Sequence, residues 1–102
     1  MGLISVRSIA NRADTTEQGL AVRAAIARAL YRDGDASVSF EDIDNATSSF
    51  VNAAVLPLLD TMTVSELQKR VRFVNSNRQI NDMIKHCVGR YRKSSNLKAA
   101  AI

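Results

Sequence analysis

The sequence predicts an α/β fold: a small, mostly parallel sheet of three or four strands with helices packed on it. Three observations carry that expectation. Apolar and polar residues alternate in short runs at three places, Leu3 to Ile9, Ser37 to Phe40 and Val71 to Phe73, which is the two-residue period of a strand. Longer stretches between and after them repeat their apolar residues at helical spacing. Strands separated by helices pair in parallel through right-handed crossovers.

Each element has its own local signal. In the first strand Ile4 and Val6 share one face, with Ser5 and Arg7 on the other. A polar break from Asn11 to Asp14 follows, and Asp14 and Thr15 are overlapping helix starts with Glu17 and Gln18 three residues on. The helix behind them carries Val22, Ile26, Ala29 and Leu30 on one stripe and ends at Gly34. Val38 and Phe40 then alternate with Ser37, Ser39 and Glu41 as the second strand. Glu41-Asp42-Ile43-Asp44-Asn45 is rich in side chains that bond to nearby backbone and favour turns. Thr47, Ser48 and Ser49 stand before the apolar run Phe50 to Leu56, so hydroxyls cap a second helix here.

Pro57 removes a backbone donor and crowds the preceding turn, so this helix is kinked or two-part and reaches about Leu59. Thr63-Val-Ser-Glu66 is a capping box for a short third helix to about Lys69. Val71 and Phe73 alternate with Arg70 and Arg72, a third strand with a basic outward face. Ser76-Asn-Arg-Gln79 reads as another capping box. It opens a final helix with Ile80, Met83, Ile84, Cys87, Val88 and Tyr91 on one stripe. Residues 1–93 form a single domain on this reading, and 94–102 a flexible C-terminal tail.

The 102 residues are 46% hydrophobic and 24% charged, the balance of an ordinary globular chain. No apolar run approaches ~20 residues, the N-terminus lacks a signal-peptide pattern, and a single cysteine permits no internal disulfide. Together these predict a cytoplasmic protein. Charge is uneven. Residues 1–67 carry five Arg and nine acidic residues, a net of −4; residues 68–102 carry nine Lys or Arg and one Asp, a net of +8.

Catalytic patterns are missing from the sequence. No Ser-His-acid set or glycine-rich phosphate loop can be assembled. His86 is the only histidine and has no partner at ligand spacing. Cys87 sits on the apolar stripe as a small hydrophobe. Asp33, Asp35, Asp42 and Asp44 do not fit a calcium loop, because Val38 stands where its glycine belongs. The expectation is a protein that is not an enzyme and has no cofactor of its own.

Two stretches, Val38-Ser-Phe-Glu-Asp-Ile43 leading into Thr47-Ser-Ser-Phe-Val-Asn-Ala53, and Lys69-Arg-Val-Arg-Phe-Val-Asn75, resemble the small bacterial STAS-like domains. These are relatives of the anti-sigma-factor antagonists and of the cytoplasmic domain of sulfate transporters. The resemblance covers roughly the last two thirds of the chain. In the antagonists the loop reads Asp-Ser-Ser-Gly, and a partner kinase phosphorylates the second serine. Ser49 takes that place here, Ser48 the preceding serine and Thr47 the aspartate, while Phe50 replaces the glycine.

The resemblance implies a regulatory protein-interaction module that binds a histidine-kinase-like ATPase or another regulator. Its partner-binding loop would comprise Asp42, Asp44, Thr47, Ser48 and Ser49, with Ser49 as phospho-acceptor and ATP as the partner's cofactor. Two other classes are open. The basic residues Arg70, Arg72, Arg78, Lys85, Arg90, Arg92 and Lys93 could meet nucleic acid, although only Tyr91 among them offers an aromatic ring to stack on bases. An oligomeric scaffold could instead pair the two sheet edges that three strands leave exposed.

Overall fold

The computed structural model describes residues 3–101, with side chains as far as Arg90. The elements are β1 (Leu3–Ser5), α1 (Val6–Ala10), α2 (Thr16–Asp33), β2 (Ala36–Ser39), α3 (Ser48–Val55), a 3-10 helix (Leu56–Asp60), α4 (Val64–Arg70), β3 (Val71–Val74) and α5 (Arg78–Ala101). The three strands form one parallel sheet in the order β1-β2-β3, so the fold is α/β. The tail expected over 94–102 falls on residues whose side chains lie outside the description, as do those of Tyr91, Arg92 and Lys93.

The register sorts the strand residues into two faces. Ile4 lies opposite Val38, and Val38 opposite Phe73, with Ala36 and Val71 on the same side. All but Phe73 are buried, and they meet α2 and α3 in the core. The other face carries Leu3, Ser5, Ser37, Ser39, Arg72 and Val74. There Leu3 is 69% exposed, Arg72 is exposed, Ser5, Ser37 and Val74 are half-buried and Ser39 is buried, so this face is open to solvent mainly at its outer strands. Both crossovers progress in one direction along the sheet, and right-handed connections then place their helices on one face. The protein is a two-layer sandwich with one bare sheet surface.

The helical layer depends on a close approach. At Gly19, a Cβ would lie 2.7 Å from the Ala53 Cβ and run into the Phe50 carbonyl oxygen. Only glycine lets α2 and α3 meet at that distance. Gly34 closes α2 at φ 82°, a left-handed conformation that costs other residues energy, with its N–H on the Leu30 carbonyl. Thr15 and Gln18 form the reciprocal capping box at the start of α2, and Thr63 and Glu66 do so for α4. Phe40 joins the layers. Its ring meets Phe50 edge-on at 6.4 Å and lies 6.3 Å from Phe73.

Two local expectations are corrected, and the two-part element at Pro57 is as expected. The first strand stops at Ser5, because Ser5 Oγ accepts from the Ser8 N–H at 3.3 Å and caps α1. Val6 is wholly buried from the helix rather than from a strand. The Ser76–Gln79 box does not form: Asn77 Oδ1 accepts from the Ile80 N–H at 3.0 Å, and Gln79 reaches elsewhere. Around Pro57 the chain passes from α3 into the 3-10 helix, ending at Asp60, so the element is two-part. Among the described residues no single helix is long and apolar enough to cross a membrane.

Candidate functional site

Parallel α/β sheets bind ligands and partners outside the carboxyl ends of their strands, where the connecting loops gather. Here that end collects Asn11 to Asp14 after α1, Glu41 to Thr47 after β2, and Asn75 to Asn77 after β3. Each segment turns through one left-handed residue: Asn11 at φ 67°, Asp42 at 64° and Asn75 at 55°. Asn and Asp enter this region at lower cost than most residues.

The acidic loop is tied down on all sides. Gln79 brackets Ala46, accepting from its N–H and donating to its carbonyl, both at 2.9 Å. Asn77 Nδ2 donates to the Asp44 carbonyl at 2.6 Å. Arg7 reaches the Asp42 carbonyl at 3.4 Å. At the loop's start the buried Ser39 hydroxyl accepts from Asn75 Nδ2 at 3.0 Å and from the Glu41 N–H at 3.3 Å. The backbone is thus satisfied by side chains from neighbouring segments, leaving the Asp42 and Asp44 side chains at the surface. With Arg7, Arg12 and Asp14 they line a polar cleft of about 260 Å³, in which Arg12 pairs with Asp14 at 3.8 Å.

Thr47, Ser48 and Ser49 divide their roles. Thr47 alone caps α3: its Oγ1 accepts from the Phe50 N–H at 3.2 Å and donates to the Asp14 carbonyl at 2.7 Å. Its N–H donates to Ala13 at 2.9 Å. The expectation that Ser48 and Ser49 serve as caps is therefore corrected. They are the first two helical residues, and both are exposed. Asp33 and Asp35 sit at the opposite end of β2 from Asp42 and Asp44, so the four carboxylates do not share a site.

Among the described residues the basic side chains occupy different places. Arg70 ends α4 and pairs with Glu66 at 3.9 Å, while Arg78 begins α5 beyond the other end of β3 and pairs with Asp82 at 3.9 Å. Arg72 projects from β3 on the bare sheet face. A feature not read from the sequence lies beside it. Between α4, β3 and α5 runs an open groove of about 600 Å³, floored by Leu67, Val71, Phe73, Ile84 and Val88, with Arg72 and Lys85 along it. On the core side of α5, burial pushes the Cys87 thiol above its ordinary range, and the nearby Arg90 charge pulls it part of the way back.

Comparison of the chain with protein families, with characterised proteins and with solved structures finds no match in any of the three.

Proposed function

We propose that the chain is a non-enzymatic, regulatory protein-interaction module of STAS-like type. It presents the loop of Asp42 and Asp44 together with Ser48 and Ser49 to a protein partner, and phosphorylation of Ser49 switches that contact. One observation carries the reading. Ser49 is exposed in the first turn of α3 while Thr47 does the capping, so a modified Ser49 leaves every bond that holds the turn in place. A phosphate there meets the positive end of the helix dipole and its free N–H groups. It also adds nearly two negative charges to a surface that already bears Asp42 and Asp44. The fold is kept and the docking surface becomes locally more negative.

The family resemblance supplies the partner class, a cytoplasmic ATPase related to histidine kinases. Arg70 and Arg78 are each engaged by a carboxylate of their own helix, Glu66 and Asp82, which favours the protein partner.

The test uses the tagged chain as bait in a lysate of its source cells, with wild type, Ser49→Ala and Ser49→Asp compared by quantitative mass spectrometry. A partner kept by the Ala form and lost by the Asp form supports the switch. Identical captures from all three overturn it. Ser49→Ala should melt within a degree or two of wild type, because no cap is lost. Thr47→Ala should cost about 1–2 kcal/mol.

A further inference from the structure

β3 is an edge strand, bonded to β2 on one side only. The Phe40 N–H donates to the Val74 carbonyl at 3.0 Å, which turns that carbonyl toward β2. Carbonyls alternate along a strand, so the Phe73 carbonyl points the other way, into the groove. Proteins cover or blunt such edges. Here the groove supplies an apolar floor directly beside the edge, and Phe73 is only half-buried although it lies on the core face.

Charge decides what fits there. A second copy pairing its own β3 would set Arg72 and Lys85 against themselves. A copy offering β1 would bring Arg28 and Arg32, which with one carboxylate, Asp33, flank that edge beside Leu3, so a net positive charge would face the same two cations. Both arrangements oppose like charges, which destabilises strand pairing.

We propose that the β3 edge is a docking site for an extended segment of a partner protein, apolar at alternate positions and acidic between them. The segment adds to β3 as a fourth strand. Its backbone bonds to Phe73, its apolar side chains fill the groove over Val71, Phe73 and Ile84, and its acidic side chains lie beside Arg72 on the bare face. Strand addition of this kind draws affinity from backbone bonds and specificity from alternate side chains. The site is separate from the Ser49 loop and does not depend on that reading.

Two fluorescein-labelled synthetic peptides test it, one alternating Val with Glu and the other Val with Lys, titrated into the full chain at physiological salt. Anisotropy should show the Glu peptide binding about tenfold or more tighter, and the exposed-site variant Arg72→Glu should reverse the order. In the complex, hydrogen exchange should slow at the Phe73 amide region. No binding by either peptide, equal binding of both, an unchanged order in Arg72→Glu, or protection confined to residues 41–46 would each overturn the proposal. So would sedimentation of the free chain as a dimer with Phe73 already protected, which would make a second copy the occupant.

Discussion

The two surfaces that flank β3 are opposites in construction. At its carboxyl end the acidic loop is a polar structure with backbone groups bonded by Gln79, Asn77 and Arg7. Along its free side the groove is apolar, with cationic residues beside it and a strand edge that β2 leaves unpaired. The loop offers a partner its exposed Asp42 and Asp44 side chains, on a backbone braced before contact. The groove offers backbone groups and apolar area, and its occupant completes the sheet. A preset surface suits a contact that one added charge can cancel. An incomplete sheet suits a contact in which the guest orders on binding.

Removing the support beneath the loop is the harshest way to break this contrast. Gly19→Ala drives a methyl into the Phe50 carbonyl and Ala53, pushing α3 away from α2. After a helix-propensity gain of about 1 kcal/mol, the net loss should be about 2 kcal/mol, read as a melting-temperature drop of about 8–16 °C. An unchanged melting temperature would mean that the two helices are not held at this distance.

Gln79→Ala is milder and more local. It strips both partners from Ala46 and should cost about 1–2 kcal/mol. Amide exchange should accelerate across residues 41–46 while β3 and its groove keep their protection. Equal acceleration at Phe73 would show that the two surfaces are one unit.

The smallest effect is expected from Cys87, buried in the core on α5. Its folded thiol is held above the ordinary range, so the fold favours the protonated form. That contribution is complete below the ordinary thiol range of about 8.5 and fades as pH rises through the folded value. The wild type should therefore lose melting temperature more steeply than Cys87→Ala above about pH 9. Parallel slopes would mean that the thiol is not desolvated.

How much of this was legible in the sequence depended on how far each signal reached. Gly34, the Thr63–Glu66 box and the stripe of α5 were plain, because their partners lie within four residues along one helix. The first strand was not. Ile4 and Val6 fit a two-residue period, yet Val6, Ile9 and Ala10 also fit a helical one, and the Ser5 cap decides between them. Ser76 and Gln79 have the right spacing for a box, but Gln79 bonds to Ala46, 33 residues away. Asp42 and Asp44 could be placed together because they are neighbours in sequence, and they line one cleft. The groove could not, since it exists only once strand order leaves β3 at the edge. Which hydroxyl caps α3 was equally hidden, because Thr47 is selected by its bond to Asp14 across the loop cluster.

The all-parallel sheet also sets a timetable. Neither strand pairing is a hairpin: each joins segments roughly 35 residues apart, as Val38 is from Phe73. On a ribosome adding about 5–20 residues per second, β2 waits about 2–7 s for β3 to be made. During that interval the edge of β2 that will receive β3 has no strand of its own chain to bond. The β1-α2-β2 unit emerges first and must hold its soluble state alone, with Val38 and Phe40 uncovered by α3. The serines of β2 work in its favour here, because Ser37 and Ser39 make one face of that waiting strand polar and so a poor template for aggregation.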